Sequence, residues 1–443
     1  MKEEIFVAEL PNGMVLLGEP MANVASASLL LAVPAGAAYD PPAAGGAASV
    51  ACEWSVRGAG LRSTRQLNEA LDALGCHHDQ HVQSEHVLYS AAQLGRNLPE
   101  ALSLQADILL RPRLDGAAFG PSRELVRQDL ASLADEPAQL CMTRLAERFY
   151  PAPFGRCIYG SDESLASLAA APLRDAWRRV CRPEGTILAV AGAFDWPAVC
   201  EQAERLFGGW TGRPLAEHVL SPAPRGVLQL TKDTAQTHIG LAHAAPPIGH
   251  RCYYASRLAE TVLSGGAGSR LHTEVREKRG LAYHVASHYH GLKGMAGMFT
   301  YAAATPPLAE QTFELVVAEI RRLGEGASDE ELTRARTQLK SALIMQNEAT
   351  GARAAALASD WFHLRRVRTF EEIARAVEAV SAGDVVECLR EFPAADFAVV
   401  TIGPEALDTS GIADCGTRIA DLQTEDSRAA ASPNPQSAIP NPQ

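Results

Sequence analysis

The sequence predicts an α+β protein of two similar domains, each a sheet covered on one side by helices. Three observations lead there. Strand and helix signals alternate along the chain, with long helical runs beside short strands. Each half closes in the same way, a helical run followed by an apolar strand ending on glycine. These segments read AWRRVCRPEGTILAVAGAFD and VVECLREFPAADFAVVTIGPE, so that Gly403 stands where Gly192 stood. Between the halves, GRPLAEHVLSPAPRG (212–226) is rich in proline and lacks periodicity, the composition of a linker. The reading is a duplication, with domains at 1–212 and 226–411, a linker at 213–225, and a disordered tail at 412–443.

The elements follow in order. LPNGMVLLGEP reads as a strand, a turn at Asn12-Gly13 and a second strand. Ser63 or Thr64 caps a helix whose apolar face is Leu67, Ala70, Leu71 and Leu74, and Gly75 stops it. CHHDQHV and HVLYSAAQL form a hairpin around Gln83–Glu85. NLPEALSLQADILL restarts a helix with Pro99 in its first turn, and a helical run from about 119 to 136 carries Asp129. The second half opens on the strand VLQLTKD, matched to the IFVAEL that opens the first.

Composition narrows the function. Of 443 residues, 47% are hydrophobic, enough for sizeable cores, yet no apolar run reaches the length of a membrane span. The acidic start MKEEIFVAEL runs directly into a strand, which argues against a signal peptide. Nine scattered cysteines without a C-x-x-C argue against a disulfide framework and for a reducing cytoplasm. A net charge of −12 disfavours nucleic acid as a partner.

Residues 46–58, GAASVACEWSVRG, carry the main functional signal. Ser49, Cys52 and Glu53 stand at i, i+3 and i+4, on one helix face between Gly46 and Gly58. This frame resembles the metal helix of the pitrilysin-type inverzincins, the zinc peptidases that include the mitochondrial processing peptidases. There the same positions carry His-x-x-Glu-His, two imidazoles for zinc and a glutamate that activates its water. Further segments are similar to the family: ASLLLAVPAGAAYDPP, PFGRCIYGSDESLASL, KDTAQTHIGLAHAAPP and, most specifically, SRLHTEVREKRGLAY. The resemblance implies two processing-peptidase-like domains with mostly antiparallel sheets. It also places the third zinc position at Asp129 and substrate-contacting residues at Arg270 and Tyr283.

A serine hydroxyl is a poor zinc ligand, and a thiol does not replace a carboxylate base. The resemblance therefore implies a non-catalytic, substrate-binding subunit that holds no metal itself. Its partner would be a zinc-bearing pitrilysin-type subunit in a heterodimer, acting on a peptide. Glu53 and Asp129 alone make a hard-oxygen pair, suited to a weak magnesium or calcium contact or simply to solvent. Two other readings stay open. One is a scaffold without hydrolytic role. The other is an independent hydrolase using Cys52 as a thiol nucleophile, or the strand bearing His77, His78, His81 and His86, on which alternation sets His77, Asp79 and His81 to one face.

Overall fold

The computed structural model describes residues 4–215 and 217–409. The expected tail at 412–443 lies outside the described residues. Around the Asn12-Gly13 turn, β1 (Phe6–Glu9) and β2 (Val15–Pro20) pair antiparallel, Gly13 taking φ +84°. After β3 (Ser26–Val33) come α1 (Ala47–Ser55), a small hairpin of β4 (Gly58–Ala59) and β5 (Arg62–Ser63), and α2 (Thr64–Ala73). Helix α2 starts on a reciprocal capping box between Ser63 and Gln66 and buries Leu67 and Leu71. The hairpin of β6 (His77–Val82) and β7 (Val87–Leu94) forms as expected. Helices α3 (Leu98–Leu110), α4 (Gly116–Asp135), α5 (Pro137–Phe149), α6 (Asp162–Ser167) and α7 (Ala170–Val180) lead to β8 (Ile187–Gly192) and α8 (Trp196–Phe207).

The second half runs β9 (Gly226–Thr231), β10 (Thr237–Ala245), α9 (Tyr253–Ser264), a π-helical turn at His272–Glu277, β11 (Ala282–Leu292) and β12 (Met295–Ala304). It ends with α10 (Ala309–Leu323), α11 (Asp329–Glu348), α12 (Thr350–Leu364), α13 (Phe370–Ala379), α14 (Ala382–Glu391) and β13 (Ala398–Gly403).

The sheet orders are β1-β2-β8-β3-β7-β6 and β9-β13-β10-β12-β11. Leaving out β1, the second order repeats the first strand for strand. Gly192 pairs with Pro20 and Gly403 with Thr231, each in a parallel pair, so the echo of the two closing strands holds in space. One match in the sequence reading is corrected. VLQLTKD corresponds to β2, since β9 lies parallel to β13 as β2 lies parallel to β8. IFVAEL forms an extra edge strand with no counterpart among the described residues of the second half. Antiparallel pairs make up the rest of both sheets.

Each half packs helices on one face of its sheet, as expected. In the first, Leu29, Leu31, Val33, Leu188 and Val190 meet α1, α2 and α3 in one core. The opposite faces are not left to solvent. Val15, Leu17, Leu30, Ala32, Ile187, Ala189 and Ala191, the alternate residues of the same strands, pack against Ala354, Leu357 and Ala358 of α12. Reciprocally, Cys141, Leu145 and Phe149 of α5 pack against Ala242, Ala398, Val400 and Ile402 of the second sheet. Helices α5 and α12 hold matching places in the two halves, so the halves exchange equivalent helices. Polar ties fix the first exchange: Ser28 Oγ meets Thr350 Oγ1 at 2.8 Å, and Arg353 pairs with Glu19 in the core. The 213–225 segment is likewise held, Ala152 and Ser221 exchanging two backbone hydrogen bonds at 3.0 Å.

Candidate functional site

Helix α1 is buried along its length except at Glu53. The reason for its framing glycines is steric. Gly46 takes φ +84°, and a Cβ there would lie 2.5 Å from the Tyr159 carbonyl oxygen; Gly58 takes φ +111°. The first turn is held from below by Asp40, whose carboxylate accepts from the Gly46 and Ala48 amides at 2.9 Å each. Burial pushes the Asp40 carboxyl up to about 7, while those amides and Arg156 pull it down. Asp40→Ala is expected to lower stability by about 2–4 kcal/mol, measured by denaturant unfolding, because it leaves helix amides buried without an acceptor.

The three motif positions are each spent elsewhere. Ser49 Oγ donates to the Ile158 carbonyl at 2.7 Å. Cys52 is 3% exposed, and burial pushes its thiol far above the ordinary range, with the charges of Glu53 and Asp79 adding to that effect. Its neighbours are Tyr89 and Cys181, themselves buried and shifted upward by burial. Glu53 pairs with Arg57 one turn on, at 3.2 Å. Asp129 lies exposed on α4, its charge felt at the Tyr159 phenol. This donor set does not fit zinc: it offers no imidazole, a hydroxyl already donating to a carbonyl, and a carboxylate neutralised by a guanidinium.

The thiol-nucleophile reading of Cys52 is corrected here. A nucleophilic cysteine needs an accessible thiolate and a base, and burial denies it the first. The histidine strand fares no better. His77, His78 and His81 are exposed, His81 Nδ1 lies 3.1 Å from Asp79, and His86 is buried edge-on against Phe362 with centroids 4.4 Å apart. Among the described residues, no group of three His, Cys, Asp or Glu is arranged to hold a metal ion.

In the second half, Arg270 and Tyr283 differ in availability. Arg270 is bidentate to Glu331, Nε at 2.7 Å and Nη2 at 2.9 Å, and Nη2 also donates to the Gly326 carbonyl at 2.8 Å. Glu331 in turn accepts from the Ser328 amide, closing the capping box of α11. Tyr283 is 77% exposed on β11, with the Arg276 guanidinium 5.8 Å from its ring centre. The Arg270 guanidinium holds the Glu331 carboxyl down at about 2. A depressed carboxylate contributes stability above its unfolded value and loses it as pH falls through the folded one. The difference in melting temperature between the native chain and Glu331→Gln is therefore expected to be full above about pH 5 and to vanish between about pH 4.5 and 2.

Two of these partners were legible but unread. Glu53 and Arg57 stand four apart across the end of α1, Arg57 just past its C-cap, and Ser328-x-x-Glu331 spells a capping box.

The family models agree with this geometry. The one described as Insulinase (Peptidase family M16) matches residues 16–162, and the one described as Peptidase M16 inactive domain matches residues 167–339. The chain belongs to peptidase family M16. Its relatives in that family include an uncharacterized zinc protease of Rickettsia bellii, 27% identical over 417 residues, covering 92% of this chain and 99% of that protein. An uncharacterized zinc protease of Mycobacterium tuberculosis is 28% identical over 403 residues, covering 89% and 92%. Among solved structures, a peptidase M16 inactive domain from Pseudomonas fluorescens superposes with a TM-score of 0.83 at 18% identity, covering 91% of this chain and 98% of that one. A protease from Helicobacter pylori gives 0.83 at 17%, covering 91% and 100%. This M16 chain thus keeps the fold of its family across both halves, while its α1 lacks the residues that would hold zinc. No helix among the described residues is long and apolar enough to cross a membrane.

Proposed function

We propose that this chain is the non-catalytic subunit of a heterodimeric M16 metallopeptidase, whose partner carries an intact His-x-x-Glu-His helix and its zinc. The partner supplies the metal and the activated water; this chain supplies part of the peptide chamber. One observation carries the reading. Helix α1 keeps the place and glycine frame of a metal helix while Ser49, Cys52 and Glu53 are committed to a carbonyl, the core and Arg57.

Beside α1, β6 is an edge strand with no neighbour on its outer side among the described residues, a position where an extended peptide adds by β-augmentation. The matching edge β11 is open only toward Tyr283, since the Ser287 and Tyr289 amides donate to Ser264 Oγ at 2.8 Å and Glu260 Oε1 at 2.9 Å. In this reading Tyr283 meets the substrate directly. Arg270 reaches it only by leaving Glu331, and otherwise orders the segment leading to Tyr283. Free thiols at the eight described cysteines are in keeping with a cytoplasmic site of action.

The test is peptide hydrolysis by the zinc-bearing partner with and without this chain, with metal analysis of each. Zinc confined to the partner and activity dependent on the pair support the proposal; equal activity without this chain rejects it. The clamping of Arg270 by Glu331 favours a second reading, a structural or peptide-binding scaffold without hydrolytic role. That reading requires a stable complex whose activity is indifferent to Tyr283.

A further inference from the structure

Four cations line the seam between the two halves, with one half-buried carboxylate, Glu85, near enough for its charge to act on Lys293. Arg156 and Arg182 come from the first half, Lys293 and Arg365 from the second, and none of them forms an ion pair among the described residues. Arg156 Nη1 donates to the Asp40 main-chain carbonyl at 2.9 Å. Arg182 Nη1 donates to the Pro34 and Val180 carbonyls, and its guanidinium lies 5.3 Å from the Tyr39 ring centre. The Lys293 ammonium sits 5.0 Å over Phe362, and Arg365 extends from the end of α12, where its backbone is left-handed at φ +55°. A non-glycine residue held in that region marks a constrained place in the chain.

Two cavities of about 660 and 870 Å³ meet at a shared wall formed by Glu85, His86, Phe154 and Phe362. Arg156 opens on the first; Arg182, Lys293, Arg365 and His218 open on the second. The two imidazoles report the local field. Burial lowers His86 to about 4, helped by His363, Lys293 and Arg182. His218 is lowered by burial, then by Arg156 and Arg182. No carboxylate enters either balance, although the chain as a whole carries −12. Of the acids on the second cavity, Glu9, Glu184 and Glu217 are exposed; Glu85 accepts the Lys293 amide at 3.1 Å, and its charge offsets part of the effect of Arg365 on Lys293.

We propose that this seam binds a small multivalent oxyanion of the phosphate class, free or as the phosphoryl group of a metabolite, between Arg182, Lys293 and Arg365. Guanidinium and ammonium donors answer the oxygens of such an anion with short charge-assisted hydrogen bonds. Because the donors come from both halves, the bound anion ties the halves together. Neither zinc nor a partner subunit enters this inference, so it stands or falls apart from the proposed function.

The experiment is calorimetric titration and thermal unfolding of the full chain in sodium phosphate or glucose 6-phosphate, against sodium chloride at equal ionic strength. A saturable heat and a midpoint raised by about 2 °C or more in excess phosphate, but not in chloride, are expected. Tighter binding of glucose 6-phosphate identifies the phosphoryl group of a metabolite as the source; equal or weaker binding identifies the free anion. Lys293→Gln with Arg365→Asn, asparagine being tolerant of left-handed backbone, weakens binding by about tenfold or more, while Lys293→Arg retains it. Equal midpoints in phosphate and chloride overturn the proposal, as does native affinity in the double variant. Should that variant not fold, the exposed single change Lys293→Gln must still weaken binding by about threefold, or the site is not there.

Discussion

Arg353→Met is expected to cost about 3–5 kcal/mol of stability. Arg353 and Glu19 are 4% and 9% exposed in their side chains, and the pair joins α12 of the second half to β2 of the first. Removing the guanidinium leaves the Glu19 carboxylate without that cation in a mostly apolar layer, and desolvation of the charge sets the cost. Adding Glu19→Leu removes that charge, so the double variant is expected to recover most of the loss. Urea unfolding of the two single variants and the double reads this as a thermodynamic cycle. Recovery identifies the burden as charge burial; a double variant as unstable as the single one would place it in the packing of α12.

If the proposed heterodimer holds, Tyr283→Phe is expected to lower its kcat for peptide hydrolysis by about 10²-fold with little change in KM. This is the effect of removing a donor to the oxyanion that forms when water attacks a peptide carbonyl. The phenol is exposed, so the substitution should leave folding intact, and a melting curve provides the control. Arg270→Ala should behave differently. It unties Glu331 and the start of α11, so a fall in melting temperature should accompany any kinetic change. Unchanged kcat after Tyr283→Phe would leave the scaffold reading in possession of the field.

Much of the fold could be read from the residues because local signals agreed with the tertiary outcome. Ser63, Gly75, the 83–85 turn and Pro99 act through backbone chemistry within a few residues of themselves. The exchange of α5 and α12 was not legible, since an apolar helix face does not say which sheet it will cover. The strands did carry a hint. ILAVAG in β8 is buried at every residue, the mark of a strand covered on both faces. At the site, the loss of the zinc residues was plain at Ser49, Cys52 and Glu53. The partners that absorb them were not, because Ile158 lies 109 residues from Ser49. The closure of Arg270 depends likewise on α11, which begins far along the chain at Asp329.

The exchanged helices also have a consequence on the ribosome. The first sheet is complete once β8 emerges, but the helix that covers its outer face begins at Thr350, 158 residues after Gly192 (350 − 192). At ordinary rates of synthesis this leaves the face of Leu17, Leu30, Ile187 and Ala189 bare for roughly 10–30 s. The nascent polypeptide must spend that interval shielded by a chaperone or risk sticking to its neighbours.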